Sequence, residues 1–316
     1  MTNSNTNNQP SVQFHKINEN NVNQRVDNFL ITTLKGVPKT HIYRILRKGE
    51  VRVNKKRIKP DYHLKLNDQI RIPPIRLSSK VKHTPSVSAI KLLEQRIIYE
   101  DEKLIVINKP SGMASHGGSG INFGVIETLR NMRPKTKFLE LAHRLDRDTS
   151  GCIVIAKKRS VLLELQDLLH KHQIGKTYLA LVHGTWKGKI RIVDAPLQKN
   201  QLKSGERVVY VNNAGKAAKT EFELRQQLGN TALLKVTIYS GRTHQIRVHA
   251  AHIGYPIVGD EKYGSKELNK NIRNIGLKRL FLHAYNLKFK LPSASKEIDI
   301  KSELDKDLLE VLKKIS

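Results

Sequence analysis

The sequence predicts an α+β protein in two parts: a small unit of two helices and a hairpin, then a larger domain built on a mixed, largely antiparallel sheet flanked by helices and loops. Three observations carry this expectation. The chain has 316 residues, enough for one sizeable core plus an accessory domain at roughly 100–200 residues per domain. Apolar runs of about four to eight residues recur from Ile97 to the end, with helical patterns at irregular intervals between them, which suits antiparallel strands better than a regular β–α alternation. A segment rich in proline and serine, without periodicity, separates the two parts.

Taken in order, residues 1–14 are polar and low in complexity and are expected to be a disordered lead-in, having too few apolar groups to offset chain entropy. Residues 15–75 form the small unit. Val26, Phe29, Leu30 and Leu34 follow helical spacing, Gly36 and Pro38 interrupt, and Ile42, Ile45 and Leu46 mark a second short helix. Val51–Val53, Leu64–Leu66 and Ile70–Ile72 read as strands, with Asn54-Lys55-Lys56 at a turn. Three prolines and four serines fall between Pro73 and Ala89, so residues 76–90 read as a linker. In residues 91–316 the strand candidates are Leu104–Ile107, Cys152–Ala156, Tyr178–Val182, Leu233–Ile238 and Leu287–Leu291, and Val161–Leu169 is the clearest helix.

Charge points to the partner. Lys and Arg number 57 against 28 Asp and Glu, a formal net charge of +29, which repels itself unless a polyanion is bound. Nucleic acid fits that requirement. In the small unit Lys39, Arg44, Arg47, Lys48, Lys55 and Lys56 crowd onto the second helix and the hairpin, a density suited to tracking a phosphate backbone. The single cysteine, Cys152, excludes an internal disulfide framework and a Cys-rich zinc site, and its apolar neighbours make it a packing residue. No run approaches the roughly 18 apolar residues of a membrane span, and the Asn/Thr-rich start lacks a signal-peptide core. A cytoplasmic protein without a membrane partner is expected.

Four segments carry candidate chemistry. In His143–Gly151, Asp146 and Asp148 stand among Arg144 and Arg147, and Thr149-Ser150-Gly151 leads into the strand at Cys152, placing a carboxylate at a sheet edge. Spacing does not choose between the two acids, and a loop ion-pair cluster fits the pattern equally well. In Ser240–His249 a strand ends and a helix begins, putting Arg242 at the corner, where its planar fork can meet a carboxylate or phosphate. His244, His249 and His252 match no metal-ligand spacing and share no Cys or carboxylate, so no metal is expected there. In Lys176–Gly184, Tyr178 lies on one strand face with Ala180 and Val182. A tyrosine facing a site stacks on a base for about 1–3 kcal/mol, and a core tyrosine fits the same pattern. The glycine-rich stretch Lys109–Gly112 with His116–Gly120 has neither the Walker ending nor the dinucleotide triplet. No nucleotide cofactor is expected, and a loop lying close to an RNA strand suits it.

In this order, Asn108–Gly112, His143–Asp146 with Thr149–Gly151, Lys176–Tyr178 with Gly184, Gly241–Arg247 and Arg279–Ala284 resemble the RluA-type pseudouridine synthases. Arg25–Leu30 followed by Ile42–Asn54 resembles the S4 RNA-binding domain. Together these resemblances cover the chain from about residue 15 to the end. They imply the pseudouridine synthase fold and isomerisation of uridine at several positions of large-subunit 23S ribosomal RNA, by a monomer that needs no cofactor. The partner implied is that RNA or an assembly intermediate of the large subunit. The family pattern places the catalytic carboxylate on Asp146 rather than Asp148, pairs it with Arg242, and gives Tyr178 the extruded uracil and its C5 proton. Arg144 then fills the vacated stack and Lys176 contacts RNA. Two other readings stay open: a paralogous synthase acting on tRNA or another rRNA loop, and a non-catalytic RNA-binding assembly factor.

Overall fold

A computed structural model of the chain describes residues 11–315 apart from 35, 76–83, 119–120 and 202–206. Two compact units form, Met1–His83 and Thr84–Ser316.

The first unit contains β1 (Gln13–Lys16), α1 (Val26–Thr33), α2 (Lys39–Arg47), β2 (Arg52–Val53), β3 (Lys56–Arg57) and β4 (Gln69–Ile72). Its antiparallel strands lie in the order β1-β4-β2-β3. Helix α2 buries Ile42, Ile45 and Leu46, at i, i+3 and i+4, and leaves Arg44 and Arg47 in solvent. Asn54 and Lys55 both take left-handed backbone, φ 49° and 67°, the geometry that closes a two-residue hairpin in the sense of strand twist. Asn54 tolerates it because its amide donates to Asp68 Oδ1 at 2.7 Å and accepts from Gln69 N at 2.9 Å.

Three expectations are corrected here. Leu64–Leu66 is not a strand: Leu64 is buried and exchanges backbone bonds with Gln24 and Asn23, while Leu66 is exposed and joins no ladder. Gln13 and Phe14, assigned to the lead-in, pair with Ile72 and Arg71; strand pairing satisfies their backbone where composition alone gives no sign of it. The linker segment is helical from Val87, where Ser86 Oγ accepts from Ala89 N at 3.2 Å and caps the helix. Residues 1–10 of the lead-in and 76–83 of the linker lie outside the described residues.

The second unit runs α3 (Val87–Glu94), β5 (Ile97–Glu100), β6 (Leu104–Lys109), α4 (Val125–Met132), β7 (Glu140–Leu141), β8 (Ser150–Ala156), α5 (Arg159–His170), β9 (Gly175–His183), β10 (Ile190–Asp194), β11 (Leu197–Gln201), β12 (Arg207–Val211), β13 (Lys219–Leu228), β14 (Thr231–Ile238), α6 (Gln245–His252), α7 (Lys266–Asn274), β15 (Leu282–Phe289), β16 (Ile298–Lys301) and α8 (Lys306–Ile315). The main sheet has the order β10-β13-β14-β9-β15-β8-β6-β5, with β16 on β15 and β7 on β8. It is antiparallel except where β8 meets β15. Strands β11 and β12 form a separate hairpin.

Strands β6 and β8 are buried on both faces. Ile105, Ile107, Ile153 and Ile155 enter one core with α4, while Leu104, Val106, Cys152 and Val154 enter the other against Val161, Leu165 and Leu168 of α5. At Gly151 (φ +106°) a Cβ would sit 2.3 Å from Ala284 O. Only glycine lets β8 approach β15 this closely, and the contact fixes the start of β8, from which the 142–149 loop hangs. Among the described residues no helix is long and apolar enough to cross a membrane.

Candidate active site

A cavity of about 1030 Å³ opens between the 142–149 loop, strand β9 and the turn leading into α6. Its lining brings together Asp146, Tyr178, Arg242, Arg144 and Lys176.

The loop is pinned on both sides of Asp146. Leu145 is buried; its N–H donates to Ser115 Oγ at 3.0 Å, and its carbonyl accepts from the same hydroxyl at 2.7 Å. Thr149 N closes a turn on Asp146 O at 3.3 Å. Lys109, fully buried, donates from Nζ to Pro110 O (3.0 Å), Met113 O (2.7 Å) and Arg147 O (2.9 Å). Burial pushes its pKa down to about 7, opposed by Asp148. Ser150 Oγ–H donates to His283 Nδ1 at 2.8 Å, because His283 Nε2–H is committed to Ser302 O at 2.9 Å, and Arg279 donates to the same Oγ.

Asp146 Oδ2 lies 3.7 Å from Arg247 Nη1 and 3.8 Å from His244 Nε2. Arg247 sits in the first turn of α6 and is buried. Its Nε and Nη2 each donate to Asp260 at 2.8 Å. That bidentate fork holds the Asp260 carboxyl below its usual range despite burial, which acts the other way. Asp148 lines the adjoining cavity of about 1460 Å³ with Ser111, Gly112 and Arg279, and His244 and Arg247 border both cavities.

The expected pairing of Arg242 with Asp146 is corrected. Arg242 makes no ion pair with Asp146 within 4.0 Å among the described residues; its Nε donates to Ala217 O at 3.1 Å. It precedes α6, where its backbone N–H is held by Gln245 Oε1 at 3.1 Å, whereas Arg247 stands on the helix face turned toward the loop. The sequence held one sign of this: Arg247 lies between the apolar Ile246 and Val248, and a buried arginine requires an acidic partner. His244 and Lys109 were likewise not anticipated as parts of the site.

Tyr178 is only 8% exposed and lies in the main core, paired with Val236 and Ala284 across its two neighbouring strands. Burial, then Asp146, raises its phenol pKa. Lys176, two residues earlier, has its pKa lowered by burial. Arg144 is exposed, its Nη1 2.8 Å from His116 Nε2. His116 and Gly118 of the glycine-rich stretch line the cavity, and Ser119 and Gly120 lie outside the described residues. His249 spends its ring nitrogens on Thr220 Oγ1 and Ala195 O, both at 2.9 Å. Among the described residues no group of three or more His, Cys, Asp or Glu could hold a metal ion. Lys39, Arg44, Arg47, Lys48, Lys55 and Lys56 are all exposed on the first unit.

Residues 103–252 match the family model for RNA pseudouridylate synthase, and residues 24–70 match that for the S4 domain. The chain is 50% identical over 305 residues to the ribosomal large subunit pseudouridine synthase C of Pasteurella multocida, covering 96% of this chain and 93% of that one. It is 49% identical over 310 residues to the protein of the same name from Escherichia coli K12, covering 97% of each. Among solved structures, human RNA Pseudouridylate Synthase Domain Containing 4 superposes with a TM-score of 0.61 at 25% identity, over 72% of this chain and 95% of that one.

Proposed function

The chain belongs to the RluA-type RNA pseudouridylate synthases, and on that footing we propose that it isomerises uridine at several positions of 23S ribosomal RNA, with Asp146 as the catalytic carboxylate. Members of this family are isomerases: the C1′–N1 bond breaks, the uracil turns, and C1′ rejoins at C5, with no atom added. The observation that carries the reading is the setting of Asp146, a partly exposed carboxylate in a cavity with a guanidinium 3.7 Å away and an imidazole nitrogen 3.8 Å away. Whether it attacks the nucleotide or removes a ribose proton, the carboxylate acts ionised, and Arg247 supplies a compensating charge and a fixed orientation.

The target uridine must leave its stack, at a cost of a few kcal/mol. Arg144, exposed at the cavity, fills the space it leaves. Tyr178 stacks on the extruded uracil and takes part in removing the C5 proton, Lys176 and Arg242 contact the RNA, and the exposed cations of the S4 domain grip flanking phosphates. The ribosomal substrate is supported by the large-subunit synthases that match over nearly the whole chain.

The test is to map pseudouridines in 23S rRNA and tRNA from cells with and without the gene. Loss at discrete 23S positions is expected. Loss confined to tRNA would replace the substrate, and no loss in either RNA would favour a non-catalytic assembly factor.

A further inference from the structure

His244, immediately before α6, adopts left-handed backbone (φ 54°, ψ 18°) without being glycine. Such a conformation is strained for a residue with a side chain and persists where the surroundings impose it. Here it aims the ring so that Nε2 faces Asp146 at 3.8 Å and Nδ1 lies 2.8 Å from the hydroxyl of Tyr263. The same hydroxyl accepts a bond from Val209 N, on β12, at 3.1 Å. Tyr263 also touches the other side chain beside Asp146, with the Arg247 guanidinium 5.1 Å over its ring and His244 edge-on at 5.5 Å.

Pairing every donor here with an acceptor of the protein selects one direction for these bonds. A phenol has one proton, and an amide N–H can only donate, so Val209 occupies an acceptor site on the oxygen. Among the described residues His244 Nδ1 is the acceptor within reach of the remaining proton. An imidazole that accepts at Nδ1 carries its own proton on Nε2. We propose that Tyr263 is a positioning residue: its hydroxyl holds His244 in the tautomer that presents Nε2–H to Asp146, and its bond to Val209 ties the β11–β12 hairpin to that arrangement. This rests on Asp146 being the catalytic carboxylate. The groups facing the ring agree with a neutral imidazole, since burial, Arg247 and Lys262 lower its pKa against the opposing pull of Asp146 and Asp260.

The experiment is nitrogen-15 NMR of the histidine rings in the full chain, with His244 assigned by its loss in H244Q. The wild type is expected to show protonated Nε2 and bare Nδ1; a spectrum with Nδ1 protonated overturns the proposal without any variant. Tyr263→Phe keeps the ring and loses the hydroxyl. It is expected to give mixed tautomers and a roughly tenfold lower kcat, with KM for rRNA within about twofold. In H244Q the added Tyr263→Phe should cost nothing more. Wild-type tautomer and turnover in Tyr263→Phe, or an equal loss in the H244Q background, would overturn the proposal. Full activity in Asp146→Asn would instead remove the reading beneath it, which the tautomer measurement, needing no turnover, does not depend on.

Discussion

Arg247 Nη1 lies 3.7 Å from Asp146 Oδ2 while the other edge of the same guanidinium is locked onto Asp260. Because Asp260 is fully enclosed and is itself held by the backbone N–H groups of Lys262 and Tyr263, its two bonds from Arg247 set that side chain by the fold, and the edge left over is the one turned to Asp146. Arg242, which lines the same cavity, has no such anchor among the described residues and leans on a backbone carbonyl.

Arg247→Lys keeps the charge and loses the fork. Turnover on rRNA should fall roughly 100-fold, the scale of a misplacement of about 1 Å, whereas Arg242→Lys should cost less than about tenfold. Single-turnover kinetics on an rRNA fragment compares the two.

Asp260→Asn leaves Arg247 buried without a full counter-charge and should destabilise the catalytic domain by about 3–5 kcal/mol, read from the denaturant midpoint. The sign with pH follows from the lowered carboxyl pKa. The pair's contribution is complete above the unfolded value of 3.8 and is lost as pH falls below it toward the lower folded value. The variant should lack this part of the acid sensitivity.

How much of this was legible beforehand depended on burial. Strands β6, β8, β9 and β14 announce themselves as continuous or alternating apolar runs because one or both faces enter a core. Strands β1 and β3 do not, since Gln13–Lys16 has Phe14 as its one apolar residue and Lys56–Arg57 has none, and they become strands only by pairing with β4 and β2. Leu287–Leu291 marked only the later part of β15, which begins at Leu282 and ends at Phe289. In the site, Asp146 and Asp148 share a loop and a residue type; a turn at Thr149 decides which cavity each faces. The exchange of Arg242 for Arg247 turned on a left-handed residue at 244 and a buried carboxylate at 260, and neither leaves a local pattern.

His283 gives a second pH dependence, in a different window. Burial pushes its pKa down to about 4 from the ordinary 6.5. The unfolded chain therefore binds the extra proton first, and stability is lost as pH falls from about 6.5 toward about 4. The slope is up to about 1.4 kcal/mol per pH unit from this residue. Urea unfolding at pH 7, 6 and 5 should show it, and His283→Gln should flatten it.

RNA binding should weaken steeply with salt, because the chain's excess of cations is balanced by phosphates. Replacing Lys39, Arg44, Arg47, Lys48, Lys55 and Lys56 with Gln should reduce the slope of log K against log salt by about 0.7–0.9 for each phosphate contact removed. An unchanged slope would mean that these exposed side chains do not touch the backbone.

The most direct measurement compares Asp146→Asn and Asp148→Asn on unmodified 23S rRNA, scoring pseudouridine by site and RNA affinity in parallel. The account predicts no pseudouridine with Asp146→Asn at near wild-type affinity, and continued turnover with Asp148→Asn. Pseudouridine formed by Asp146→Asn at the wild-type rate would contradict it.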